Sequence, residues 1–191
     1  MKQQRAWVGR VTIGVSLDGF IARPNGDISW LLDPPAGRAH AHISSTRRAE
    51  SWDTFFPTID HIVMGCGTYE TVAAFDEWPY DGKGVIVLST TLSEKDDRIR
   101  VARSVEDAAA MLTDLHARIV YIDGGKTIQA FLRKDFIDEI TTSWAPILLG
   151  AGSRLFDSLP RDVYLTLLGS HATDDGMVHS TYRVEHHPIG R

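Results

Sequence analysis

Four short stretches carry side chains able to do chemistry, and each follows an apolar run. The first is Ser16-Leu17-Asp18-Gly19-Phe20-Ile21-Ala22, continued by Asn25-Gly26-Asp27 and Trp30. It lies beyond the carboxyl end of a strand, where open parallel sheets bind ligands, although an Asp-Gly turn after a strand also has a purely structural explanation. The second, Gly65-Cys66-Gly67-Thr68-Tyr69-Glu70, places glycines and a hydroxyl where a strand gives way to a helix. Free N–H groups and the helix dipole attract phosphate there, and the plainer reading is a tight turn with Thr68 as the N-cap. The third, Leu88-Ser89-Thr90-Thr91, ends a buried strand in hydroxyls that suit a phosphate or ribose, or that cap a turn. The fourth, Asp123-Gly124-Gly125-Lys126-Thr127, lets a ligand backbone come close to another helix start.

Other constellations carry less. The chain contains neither Gly-x-Gly-x-x-Gly nor a Walker loop, and no Gly-x-Ser-x-Gly elbow. His40 and His42 stand two apart on an expected helix and point to different faces, so a shared metal is not expected. His186 and His187 fall in a tail expected to be solvated, and Cys66 has no His partner by sequence. Asp138 and Glu139 are adjacent, hence on opposite faces of a strand, which does not make a paired-carboxylate site.

The elements that must position these stretches follow from periodicity. Ile62-Val63-Met64, Val85-Ile86-Val87-Leu88 and Ile119-Val120-Tyr121-Ile122 are continuous apolar runs, the pattern of strands covered on both faces. Between them lie helical patterns. Ser104 with Glu106 and Asp107 starts a helix whose stripe is Ala108, Met111, Leu112 and Leu115. Ile128, Phe131 and Leu132 form a second stripe, with Gln129, Arg133 and Lys134 expected to face away. A third helix is expected from about Gly37 to Ser51, and a short one after Gly67. Asp174-Asp175-Gly176 joins the strand-like runs from Val163 to His171 and from Met177 to Glu185 as a hairpin. The expectation is an α/β fold with a mostly parallel central sheet, flanking helices and a C-terminal antiparallel hairpin.

Composition bounds the rest. The 191 residues are 43% hydrophobic, which suits one packed domain over 1–191 and excludes disorder. A net charge of −5 argues against nucleic acid, whose phosphates need a basic face. The single cysteine excludes disulfides and Cys-rich metal sites and points to a reducing, cytoplasmic setting. The N-terminus lacks the apolar core of a signal peptide, and no run approaches the ~18 residues of a membrane span.

At the four stretches the chain resembles the dihydrofolate reductase-like superfamily. Within it, the branch with the reductase domain of bacterial riboflavin biosynthesis and its stand-alone relatives is the nearer likeness. The matching segments are Ser16 to Ala22 with Trp30, Val63-Met64-Gly65-Cys66-Gly67-Thr68-Tyr69-Glu70, Val87-Leu88-Ser89 and Asp123-Gly124-Gly125. Phe136-Ile137-Asp138-Glu139-Ile140 and the segment from Ala145 to Phe156 complete an ordered set.

The resemblance implies a homodimeric reductase using NADPH, with NADH as the other possibility. Its substrate would be a small pterin-like or pyrimidine-like heterocycle, a riboflavin precursor for example. It puts Gly65, Gly67, Thr68 and Tyr69 against the cofactor at one helix start. Gly124, Gly125, Lys126 and Thr127 would receive its pyrophosphate at another, and Ser89 with Thr90 would lie near the adenosine ribose. Gly19 and Trp30 would contact substrate, with Asp18 and Asp33 as candidate proton donors; Asp33 before Pro34 also fits a helix cap. The chain departs from the family pattern in three ways. Cys66 and Thr90 stand where relatives keep arginines, so Lys83, Arg103 or another base would have to serve a 2′-phosphate. Ser29 precedes Trp30 and Asp33 follows it closely, which argues against folate. A single Cys excludes the zinc deaminase domain of the bifunctional riboflavin enzyme. Losing both cations also supports an alternative, a non-catalytic nucleotide-binding module on the same fold.

Overall fold

The apolar runs form the centre of an eight-stranded sheet. The computed structural model describes residues 5–32, 49–93 and 96–186. Six strands are mutually parallel: β1 (Val8–Ser16), β3 (His61–Gly65), β4 (Gly84–Leu88), β5 (Ile99–Ala102), β6 (Ile119–Asp123) and β7 (Glu139–Ala145). The antiparallel pair β9 (Leu165–Ala172) and β10 (Val178–Val184) completes the order β5-β4-β3-β6-β1-β7-β10-β9. A separate two-stranded ribbon joins β2 (Phe20–Ala22) to β8 (Ser153–Arg154). This is the α/β architecture expected. Joining β9 to β10 does not by itself say which strand is outermost; here β10 pairs with β7 and leaves β9 at the edge.

Both faces of the parallel strands are covered. On one, α4 (Val105–Asp114) and α5 (Gly125–Arg133) bury Ala108, Leu112, Ile128 and Phe131 against Val11, Val63, Val120 and Ile122. On the other, α2 (Trp52–Phe55) and α3 (Cys66–Ala73) place Phe55 and Val72 over Ile62, Met64, Val87 and Tyr121. Each fully buried Val, Leu, Ile, Met or Phe among these contributes about 1.5–3 kcal/mol. Helix α4 starts as expected. The Ser104 hydroxyl accepts from Asp107 N at 3.0 Å, and the Asp107 carboxylate accepts from Arg103 N at 2.7 Å.

Several local expectations are corrected. Helix α3 begins at Cys66 with Gly65 as its extended N-cap, so Thr68 lies inside the first turn and is not the cap. Gln129 does not face solvent. It is 8% exposed, and its amide donates to Leu155 O at 3.1 Å and Arg154 O at 3.3 Å, as a buried amide must find partners. His186 is not simply solvated, since its Nε2 lies 2.9 Å from Asp138 Oδ1. The helix expected from Gly37 to Ser51 falls mostly outside the described residues, as do His40, His42 and His187. Its end, residues 49–51, is not helical. There Ala49 N donates to His171 Nδ1 and Glu50 N to Thr181 Oγ1.

Strand β7 escaped the apolar-run criterion because its buried interior reads Thr141-Thr142-Ser143. Two of those hydroxyls find partners across the sheet, Thr141 with Thr181 at 2.9 Å and Ser143 with His179 at 2.7 Å. Among the described residues no helix is long and apolar enough to cross a membrane, and no group of three His, Cys, Asp or Glu side chains is placed to hold a metal ion.

Candidate active site

The four stretches come together along one rim of the sheet. Parallel strands all end on the same side, so Ser89, Gly65, Asp123 and Ser16 follow β4, β3, β6 and β1 in spatial order, with the loop after β7 next in line. The chain runs outward from β3 to β4 and β5 and then returns with β6 between β3 and β1. Such a reversal opens a crevice at the carboxyl ends of the strands.

At the centre of the rim two helix N-termini meet. Helices α3 and α5 follow adjacent strands, and their first turns are in contact. A Cβ on Gly124 would stand 2.5 Å from Thr68 Oγ1, and one on Gly65 would stand 3.0 Å from Thr127 Oγ1. Gly124 also has φ +84, a conformation that side-chain-bearing residues enter only with strain. Gly67 is exposed with open space beside it, and Lys126 is exposed at the start of α5. Gly125 behaves differently. The room beside it is filled by Ile21 Cδ1 and Arg154 O from the β2–β8 ribbon, so its missing side chain admits the ribbon. These junctions fit a phosphate-bearing dinucleotide: the first-turn N–H groups of two helices lie side by side, Gly65 and Gly124 let the turns meet, and Gly67 leaves room beside them.

The flanking residues have definite partners. Ser89 Oγ accepts from Leu92 N at 3.0 Å and Thr91 N at 3.3 Å, which folds the chain after β4 into a hydroxyl-capped turn; Thr90 lies at its lip. The Tyr69 hydroxyl is turned toward Asp96, donating at 2.8 Å, so Tyr69 anchors α3 to the segment before β5. Cys66 Sγ donates to Glu70 Oε1 at 3.4 Å, and burial with that carboxylate pushes the thiol pKa up.

On the substrate side, Asp18 Oδ1 accepts from Ser16 Oγ at 2.6 Å and Leu149 N at 3.2 Å, and Oδ2 accepts from Gly150 N at 2.7 Å. These donors, Ser16 foremost, pull its pKa down to about 2. Asp18 is therefore an ionised brace between the Gly19 turn and the loop after β7. The sign is that of a depressed carboxylate: its stabilising effect is present above the ordinary pKa of 3.8 and is lost as pH falls through about 2. Asp18→Asn is expected to abolish this contribution, so that its melting temperature changes less than that of the wild type between pH 5 and pH 2. Thermal melts across that range check it. Leu17 and Leu148, 63% and 69% exposed, form an apolar lip beside the brace. Trp30 is 3% exposed and its indole N–H has no acceptor among the described residues. Asp33 lies outside the described residues.

Residue types and spacing alone give Asp123 no role. This carboxylate closes β6 one residue before Gly124, whose N–H donates to Oδ1 at 2.7 Å. Burial raises its pKa, outweighing the Gly124 N–H that favours the charged form. Tyr121 donates to Thr12 O at 3.0 Å, tying β6 to β1 at the floor of the crevice. The sequence signal is an acid ending an apolar strand directly before Gly-Gly, but periodicity does not report how far such a residue is withdrawn from solvent.

The RibD C-terminal domain model matches residues 8–179. The chain is 30% identical over 162 residues to the uncharacterized protein YwjB of Bacillus subtilis (strain 168), covering 83% of this chain and 87% of that protein. A putative riboflavin biosynthesis protein from Shewanella sp. PV-4 superposes with a TM-score of 0.79 at 33% identity, over 94% of this chain and 99% of the other. Dihydrofolate reductase from Enterococcus faecalis, solved with NADP(H), superposes with a TM-score of 0.64 at 13% identity, over 95% and 98%. That last likeness is one of fold alone.

Proposed function

The chain belongs to the RibD C-terminal domain family, and from that premise we propose that it is an NADPH-dependent reductase of a small pterin-like or pyrimidine-like heterocycle. The observation that carries this reading is the meeting of the α3 and α5 N-termini, Gly124 against Thr68, with a partly buried carboxyl one residue away. Reduced nicotinamide supplies hydride when bound, and the chain's own residues do the rest.

Backbone N–H groups near Gly67, Thr68, Lys126 and Thr127 hold the pyrophosphate, and Lys126 adds a cation. Ser89 and Thr90 border the adenosine end. Asp18 acts as the brace that sets the height of the Leu17 and Leu148 lip, whose apolar surface excludes water from a flat ring. Asp123 is the acid. Gly124 N–H occupies its Oδ1, which leaves Oδ2 as the oxygen that would carry a proton and give it to the substrate.

The experiment is a pair of measurements on the full chain. NADPH is expected to raise the melting temperature, by linkage worth about 2.7 kcal/mol at a hundredfold excess over Kd. It is also expected to be oxidised in the presence of at least one member of a panel of pterins, pyrimidine precursors and cyclic imines. No shift with NADPH or NADH at millimolar concentration would refute the reading. Binding without oxidation across the panel would assign the chain to nucleotide binding alone.

A further inference from the structure

At the β9 edge of the sheet two imidazoles hold a strap. The β9–β10 register pairs His171 with His179, and their rings stack with centroids 5.0 Å apart at 18°. The chain just before α2 lies across these strands. Ala49 N donates to His171 Nδ1 at 3.2 Å, and Glu50 N donates to Thr181 Oγ1 at 3.3 Å. Helix α2 begins two residues later, and its Trp52 and Phe55 rings meet Tyr121 edge-on at 5.6 and 5.4 Å. The strap therefore leads straight into the helix that packs on the floor of the crevice.

The Ala49 bond fixes the protonation state it needs. A ring nitrogen that accepts carries no hydrogen, so His171 bears its hydrogen on Nε2 and is neutral. A further proton can go only to Nδ1, where it meets Ala49 N–H donor against donor. His179 does not take that proton first. Burial lowers its pKa, a charge on His171 lowers it further, and Asp175 in the hairpin turn opposes them. Its Nδ1 lies 2.7 Å from Ser143 Oγ, a neutral partner. Among the described residues the other charges along this part of β1, β7 and β10 are paired with one another. Arg10 lies 2.8 Å from Glu139 and is also bound to Glu50, and Arg183 lies 3.1 Å from Glu185.

We propose that the His171–His179 pair is an acid-sensitive latch: one proton taken up at His171 Nδ1 removes the acceptor for Ala49 N–H and loosens residues 49–51 from β9 and β10. At neutral pH the strap holds the start of α2 in place, and as pH falls through the imidazole range the hold weakens. Stability moves the same way. A base whose folded pKa is depressed binds its proton more readily when unfolded, so the contribution of His179 is lost as pH falls below its ordinary 6.5.

The test is amide hydrogen exchange of the full chain, read by NMR and corrected for the intrinsic pH dependence of exchange. In the wild type the protection of the Ala49 amide is expected to fall by about 3- to 10-fold between pH 7 and pH 5, as loss of one hydrogen bond implies. Amides of the β1–β7 ladder should not change. His171→Gln offers an acceptor that takes no charge, so its protection should be equal at both pH values. His171→Ala offers none and should show the low value at both. His179→Gln removes the stacked ring but leaves the one that titrates, so the drop should persist. Ring nitrogen shifts read the unaltered protein directly, with hydrogen expected on His171 Nε2 alone at pH 7 and on both nitrogens at pH 5. Wild-type protection that does not change with pH would overturn the proposal. So would a drop that survives in His171→Gln, a drop abolished by His179→Gln, or hydrogen on His171 Nδ1 at pH 7.

Discussion

Asp123→Asn is expected to slow turnover by about 10²- to 10⁴-fold while leaving NADPH affinity within about twofold, the usual range for removing a positioned acid. Asn preserves the shape and the acceptor for Gly124 N–H but carries no transferable proton. The pH profile separates this from a structural effect. Wild-type turnover should fall as pH rises through the elevated pKa of Asp123, and that limb should be absent in the variant. Stability should move the other way. A carboxyl whose folded pKa is raised is most favourable to folding below its unfolded value and loses that contribution as pH rises. At pH 7 the neutral Asn is therefore expected to melt at or above the wild-type temperature. Steady-state kinetics on the best substrate of the panel, with melts at pH 5 and 7, check both. Unchanged kcat in Asp123→Asn would remove this carboxyl from the chemistry.

Gly124→Ala should damage fold and binding together. The residue has φ +84, which costs an L-residue about 1–2 kcal/mol. The new Cβ would also stand 2.5 Å from Thr68 Oγ1, and overpacking of this kind costs typically about 1–3 kcal/mol. Together these predict a melting temperature lower by roughly 5–15 °C. They also predict NADPH binding weakened by at least about tenfold, because the α3 and α5 N-termini can no longer approach. The double variant Gly124→Ala/Thr68→Ala relieves the contact but not the backbone strain, so recovery should be partial. Full recovery would mean the conformation is unimportant. No recovery would mean the Thr68 contact is.

Much of the architecture was legible in the chain. Continuous apolar runs specify strands buried on both faces, and β3, β4 and β6 are such strands. Ser104 with the acids after it marked the start of α4 because a cap is a local hydrogen-bond pattern. Strand β7 was not legible by the same criterion, since its hydroxyls are buried only by virtue of partners some forty residues away on β10. Gln129 was misplaced for the same reason. Its acceptors, Arg154 O and Leu155 O, come from a ribbon that sequence spacing does not bring to α5.

By itself the sequence determined the family, the parallel sheet and the loops that surround the crevice. Each of these follows from residue type and local order. Only the tertiary structure decided what the individual side chains in those loops do. Asp18 became a brace because Leu149 and Gly150 donate to it, Asp123 a carboxyl of raised pKa because burial disfavours its charge, and Gly125 a seat for Ile21. Arg103 was separated from Lys83 by the length of β4. Hydrogen bonding and desolvation depend on neighbours distant in sequence, and those neighbours exist only once the strands are ordered.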